Sequence, residues 1–421
     1  MRPTGLAMDL SPLKESRDFR LLYAGFLGAL IGTLMTTVAV AVQVYELTGS
    51  PLQIGLVGLA RALPLVAGVL VGGVLADRLD RRLLMLATRL PLVAAAGALA
   101  VNALLPEPQV WVLYAATGLT GLLAGLGGPA MLAAVPALVG TGRLAAAGAL
   151  TAASTQFAAL LGPALGGVLV AGPGLAFCYA VDAAGLLLFS LALLFLRPLP
   201  PPAGEGPDAA AGVRRAFGAI ADGVRFVRGR SLILGLLLID AAAMVFTMPQ
   251  ALYPVLADRH FGGGAAVVGL LYAAPALGAL VGAVTSGWTG RAGGHALIGA
   301  VLLWGVSLVG FGLSANLPLA LMLLALAGLG DLVSETLRSA LLQHGTPDEL
   351  RGRVSALWMV QATVSPALGN AAVGLLAELT TPRSAIVIGG LVCLAATLAV
   401  AVAFPALRRA SLATPADPRT T

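Results

Sequence analysis

Twelve apolar stretches, each long enough to cross a bilayer, follow one another along this chain of 421 residues. A crossing needs about 20 apolar residues. The stretches lie near 20–46, 52–76, 83–104, 110–138, 144–170, 174–196, 231–257, 266–289, 295–315, 317–343, 354–378 and 384–406. Lipid offers no hydrogen-bond partner, so a segment inside it satisfies its own backbone as a helix. The reading is an all-α membrane protein of twelve transmembrane helices. Composition agrees: 58% of residues are hydrophobic, 10% are charged, and the mean hydropathy is +0.95. A soluble domain carries about a quarter charged residues. Turn signals such as Thr48-Gly49-Ser50-Pro51, Pro106-Glu107-Pro108 and Gly172-Pro173-Gly174 separate the stretches. The first stretch is too long for a signal-peptide core and is expected to stay as a helix. Cys178 and Cys393 both fall in apolar stretches, with no disulfide or metal spacing.

The longest polar segment, 197–230, holds RPLPPPAGEGPD and then five arginines, Arg214, Arg215, Arg225, Arg228 and Arg230. It divides the chain into an expected first half (1–196), a cytoplasmic linker (197–230) and a second half (231–421). The basic residues orient it. With the N-terminus inside, the inner loops carry Arg78, Arg81, Arg82, Arg143, Arg291, Arg351 and Arg353, besides the linker and the tail pair Arg408 and Arg409. The outer loops carry only Arg259 and Arg383. Positive residues stay inside, so both termini are expected in the cytoplasm. The formal net charge of +6 thus reads as a topology signal, not as nucleic-acid binding. The basic part of the linker, 213–230, either lies on the anionic inner leaflet or is a solvated connector.

The halves repeat each other. GLVGLARALPLVAGVLVGGVLADR (55–78) aligns without gaps to GLLYAAPALGALVGAVTSGWTGRA (269–292), with Gly73 on Gly287 and Asp77 on Arg291. GPALGG (162–167) in stretch five echoes SPALGN (365–370) in stretch eleven. Stretches two and five therefore match eight and eleven, as a six-plus-six duplication requires. Parallel halves with a substrate site between them at mid-membrane are a transporter plan.

One loop concentrates charge. GGVLADRLDRR (72–82) places Asp77, Arg78, Asp80, Arg81 and Arg82 directly after stretch two. An aspartate at a helix C-terminus is unfavourable unless something positive faces it, so Asp77 implies a partner. A helix N-terminus is one candidate, and stretch eleven is expected to begin just after Arg351-Gly352-Arg353. A contact there would latch an inner gate. The plainer reading is that the loop anchors topology, and Arg81 and Arg82 fit that best. Gly68, Gly72 and Gly73 in stretch two, and Gly282 and Gly287 in stretch eight, are expected to allow close helix approach. Pro163, with Gly162, Gly166 and Gly167, is expected to bend and thin stretch five.

Over nearly its whole length the chain resembles the major facilitator superfamily. The loop is similar to that superfamily's signature G-x-x-x-D-R-x-G-R-R at Gly73, Asp77, Arg78, Arg81 and Arg82, with Asp80 where glycine is usual. VYELTGSPLQIGLVG (44–58), GPALGG (162–167) and GTPDELRGRVSAL (345–357) resemble the drug and siderophore exporter branch, which includes macrolide and enterobactin effluxers. The resemblance implies the same gate role for Asp77. It associates the stretch-five motif with efflux, and it implies a cavity lined by stretches one, four, seven and ten. Those offer Met35, Thr36, Thr37, Gln43, Asp240, Met244, Phe246, Met248, Gln250 and Asp331. Methionine and phenylalanine make adaptable apolar surface, and two acids favour a cationic or neutral amphiphile. Many proton-coupled antiporters of the superfamily carry an arginine in stretch four; 110–138 has no charged residue. Coupling chemistry then has to sit elsewhere.

Charge inside a membrane is costly and is functional or paired. The deep candidates are Arg61, Asp182, Asp240, Asp331, Glu335 and Arg338. Asp182 and Asp240 lie near mid-membrane and either take up a proton or form fixed interhelical bonds. Asp331, Glu335 and Arg338 are spaced i, i+4, i+7, so Glu335 and Arg338 are able to pair locally, which leaves Asp331 as the freer acid. Arg61 balances an acid or touches substrate. No enzyme site is visible: His260, His295 and His344 fall in loops at opposite faces, and there is no phosphate-binding loop or metal-ligand spacing. The expectation is a secondary exporter of hydrophobic or amphiphilic small molecules in the bacterial cytoplasmic membrane, a monomer among lipids, working by alternating access and proton antiport, without a cofactor. The alternative is a dedicated exporter of one endogenous metabolite such as a siderophore. A reading of another class is a non-transporting receptor or lipid scramblase on the same fold.

Overall fold

The computed structural model describes residues 9–201, 218, 221–285 and 292–412. Among them are twelve helices long and apolar enough to cross a membrane. Spans one to six are Arg17–Thr48, Pro51–Ala76, Arg81–Leu104, Val110–Val139, Leu144–Ala171 and Leu175–Leu194. Spans seven to twelve are Ser231–Arg259, Gly264–Thr285, Gly294–Leu313, Leu317–His344, Asp348–Leu379 and Pro382–Ala403. Large apolar side chains such as Leu132, Val284 and Val402 stand open on the surface, as side chains facing lipid do. Cys178 and Cys393 are buried free thiols.

Two spans depart from expectation. Span seven is broken. Its first helix, Ser231–Thr247, stops at Met248, which is extended, and a second helix, Tyr253–Arg259, follows a short 3-10 turn at Gln250–Leu252. Pro249 explains the break, because it lacks an N–H and pushes the residue before it out of helical geometry. Span eleven starts earlier than expected, at Asp348, so Arg351 and Arg353 lie inside the helix and not before it. Asp348 and Glu349 occupy its first turn, where the helix dipole favours acids. Span five runs unbroken through Pro163.

Close packing sorts the chain into two units, Met1–Val40 with Leu63–Val213, and Ala41–Ala62 with Arg214–Thr421. They differ from the expected halves chiefly in residues 41–62, the facing ends of spans one and two, which pack within the second unit. There a Cβ on Gly55 would lie 2.5 Å from Ala371 Cα, and one on Gly374 would lie 2.8 Å from Pro51 O. Ser50 Oγ donates to Glu378 at the same end.

The internal repeat is visible in how each unit packs. In the first, spans three and six, and three and four, are tight neighbours; in the second, nine and twelve, and nine and ten. Glycines make the matching contacts. A Cβ on Gly68 or Gly72 of span two would meet the backbone of Leu122 or Leu126 of span four at 2.3–2.5 Å. A Cβ on Gly278 of span eight would meet Ala325 O of span ten at 1.6 Å. Without a hydrophobic drive between helices in lipid, such backbone approach supplies the packing energy. Gly73 is an exception: nothing lies within 4 Å of its Cβ position, so close approach does not explain it. Gly287 and Arg291 lie outside the described residues.

Candidate functional site

The repeat motifs converge on methionines. In span five a Cβ on Gly162 would lie 2.6 Å from Leu34 Cβ, and one on Gly166 would lie 2.8 Å from Met35 O of span one. In span eleven a Cβ on Gly369 would lie 2.1 Å from Met244 O of span seven. Gly166 and Gly369 occupy the same place in GPALGG and SPALGN. Each seats a methionine of the first helix of its half, and both methionines are buried.

In the second unit the intramembrane charges gather. Arg338 Nη1 of span ten lies 2.8 Å from Asp240 Oδ1 of span seven, both side chains almost wholly buried. Gln361 of span eleven donates through Nε2 to Asp240 Oδ2 at 3.0 Å and to Leu237 O at 2.7 Å. Ser334 Oγ accepts from Arg338 at 3.3 Å. Asp240 is thus held from two helices, as a buried charge must be. The local Glu335–Arg338 pair expected from sequence does not form. Glu335 is exposed, and the buried arginine turns to a carboxylate that shares its low dielectric. Asp331 is half-buried two turns before Arg338 on span ten, and Arg61 is half-buried in span two.

The break in span seven is clamped by neutral groups. Asn370 Oδ1 accepts from Ala251 N at 2.9 Å, and its Nδ2 donates to Gln250 Oε1 at 3.4 Å. Tyr272 donates to Gln250 O at 3.3 Å, and Trp304 Nε1 donates to Thr247 Oγ1 at 2.7 Å. These contacts satisfy backbone that the missing helical turn leaves open. Met248 is buried beside them, whereas Phe246 is exposed.

In the first unit Asp182 is buried in span six and accepts from Thr36 of span one at 2.7 Å. Gly32 leaves room for it, since a Cβ there would lie 2.5 Å from Asp182 Oδ1. Thr37 bonds back to Thr33 O of its own helix; Gln43, on the part of span one that belongs to the second unit, is buried.

The charged loop works as a set of staples. Asp80 caps span three, accepting from Arg82 N at 2.8 Å, and it also accepts from Leu199 N at 3.0 Å; Arg81 N donates back to Leu199 O at 3.0 Å. Arg81 reaches Ala133 O of span four at 3.0 Å, and Arg82 reaches Leu193 O and Leu194 O at 2.9 and 2.7 Å. Arg82, on the last carbonyls of span six, answers the dipole of that helix. Arg383 does the same for span nine, at Gly312 O and Leu313 O. Asp77 is exposed at the end of span two. The described end of the linker, helical over 221–228, packs on span eleven: Asp222 Oδ2 lies 3.0 Å from Arg353 Nη1, and Val227 is buried.

Sequence reasoning missed Gln361 and Asn370, neutral groups that a search for charge passes over. It also missed Arg89 of span three, whose guanidinium lies 5.0 Å over the Phe189 ring; a lone charge in an apolar run was the available signal.

Comparison with known proteins places the chain in context. A family model described as transmembrane secretion effector matches residues 7–417. An enterobactin exporter of Salmonella typhi is 36% identical over 388 residues, 91% of each chain. One of Citrobacter koseri is 36% identical over 390 residues, again 91% of each. Among solved structures, a peptide transporter POT in complex with sulfate aligns with a TM-score of 0.75 at 16% identity, covering 94% of this chain and 95% of that one. An auto-inhibited POT family peptide transporter aligns at 0.70 with 14% identity, covering 95% and 99%. At such identities these two likenesses concern the fold alone.

Proposed function

The chain belongs to the transmembrane secretion effector family of the major facilitator superfamily, and from that premise we propose that it exports a siderophore of the enterobactin kind. It is a transporter and not an enzyme. The observation that carries the reading is 36% identity to enterobactin exporters across 91% of both chains. The relatives support dedicated export of one metabolite over the broad drug efflux expected first from the sequence.

Transport proceeds by alternating access, with the basic ends of the helices in the cytoplasm, as the arginine distribution supports. Proton antiport runs through Asp240. A proton there cancels the charge that holds Arg338 and Gln361, and so loosens spans ten and eleven from span seven. The buried pair supports this, because a proton on Asp240 would change the charge balance that the contact rests on. Asp77 serves as the latch of the inner gate, and the dipole at the start of span eleven is already answered by Asp348 and Glu349.

The test is a bacterial host without its own siderophore exporter, grown without iron. Expression of this chain is expected to move siderophore from the cells to the medium, and Asp77→Asn to reduce that flux. Protein present in the membrane with siderophore still retained inside the cells would remove the reading.

A further inference from the structure

We propose that Asp331 and Asp240 form a two-acid proton relay in which Arg338 moves between them as the counter-charge, an inference that rests on the proton-antiport reading above and adds a second station to it.

Asp331 stands near the middle of span ten and is half-buried. It makes no hydrogen bond or ion pair among the described residues. An acid inside a membrane is functional or paired. Arg338, Glu335 and Asp240 are the charged groups whose fields act on it, and Glu335 is exposed. Spans eight and nine, packed against span ten, offer only His295 at one end of span nine. The first helix of span seven offers Asp240 alone, and span eleven keeps its charges near its two ends.

The arginine is held by one prong. Nη1 alone meets Asp240, and the same nitrogen donates to Ser334 Oγ at 3.3 Å. No N–H is aligned on Asp240 Oδ1, and Arg338 Nε is buried without an acceptor among the described residues. A bidentate fork would fix the pair; a single prong leaves donors to spare. Ser334 lies one turn before Arg338, so the side chain already reaches back along span ten, as helical side chains do. Asp331 precedes Arg338 by two turns, which brings it to within ~20° of the same line on the helix. From Ser334 to Asp331 the rise is only ~4.5 Å, within the sweep of an arginine between rotamers.

The exchange keeps each buried charge answered. With Arg338 on Asp240, Asp331 holds a proton taken from the outer solution, because an isolated acid in an apolar site is neutralised. The proton then passes to Asp240 as the guanidinium swings to Asp331. One O–H bond breaks and one forms, and the cation moves the opposite way. Asp240 gives its proton to the cytoplasm and Arg338 returns. Span ten lets go of span seven only in the middle step, which ties one release to one proton.

The test is a structure of the full chain in lipid nanodiscs carrying Asp240→Asn, which removes one carboxylate and keeps its shape. Arg338 is expected within about 4 Å of the Asp331 carboxylate, the reach of an ion pair. An arginine still beside position 240, or turned to Glu335 or to lipid, would overturn the relay. A second measurement uses chains that keep the buried pair. Infrared spectra of wild type at mildly acidic pH are expected to show a protonated-carboxyl band that Asp331→Asn lacks and Glu335→Gln retains. A band that survives Asp331→Asn, or no band in wild type, would equally overturn it. Neither readout uses transport, so the two readings fail separately. Siderophore retained by cells whose chain shows both signatures removes the export reading. Secretion without either signature removes the relay.

Discussion

Arg338 Nη1 of span ten sits 2.8 Å from Asp240 Oδ1 of span seven, with 5% and 1% of the two side chains exposed. The pair gives the second unit a fixed charge contact across two helices. It also makes each partner dependent on the other.

Removing one partner of such a pair strands a buried charge, which costs about 3–5 kcal/mol. Asp240→Asn is therefore expected to lower the thermal unfolding midpoint sharply, and Asp240→Asn with Arg338→Gln to recover part of the loss. Neither is expected to couple transport to protons. Thermal unfolding in detergent measures the first claim; additive losses in the double variant would contradict it.

Gly369 and Gly166 seat Met244 and Met35 against helix backbone. Alanine at either is expected to destabilise by about 1–3 kcal/mol, the usual cost of overpacking, and more at Gly369, where the approach is 2.1 Å against 2.8 Å. Gly73→Ala meets nothing within 4 Å and is expected to leave stability within about 0.5 kcal/mol. Unfolding of the three variants checks the order. An export defect in Gly73→Ala with intact stability would mark a role in movement and not in packing.

Asp80 stands where the signature has glycine, and the structure gives it two tasks, the cap of span three and the hold on Leu199. Asp80→Ala is expected to cost about 1 kcal/mol and to speed tryptic cleavage after Arg197 while export persists. Unchanged proteolysis would contradict the clamp.

Ser50 and Glu378 touch where spans two and eleven meet through Gly55 and Gly374. Cysteines at positions 50 and 378 are expected to join readily under oxidation, and the joined protein to stop exporting until reduced. Full export by the crosslinked form would show that this contact need not open.

The twelve spans were legible because runs of about twenty apolar residues admit few other structures in water or lipid. Asp240 and Arg338 were legible as charges in those runs. Their pairing was not, because it depends on how spans seven and ten pack; helical spacing pointed to Glu335 instead, and exposure decided against it. The start of span eleven was misjudged because its first turn is polar, DELRGR, and reads as loop on hydropathy alone. Asp80 was read as a departure from the glycine of the signature. Its capping role follows only once span three is known to begin at Arg81. Gln361 and Asn370 left no sequence signal beyond their polarity.

The most direct measurement is accumulation of labelled enterobactin by inside-out membrane vesicles carrying this chain, with the lumen made acidic. The account predicts uptake into the lumen that collapses with a protonophore and is lost in Asp240→Asn. Uptake no greater than in vesicles lacking the protein would contradict it.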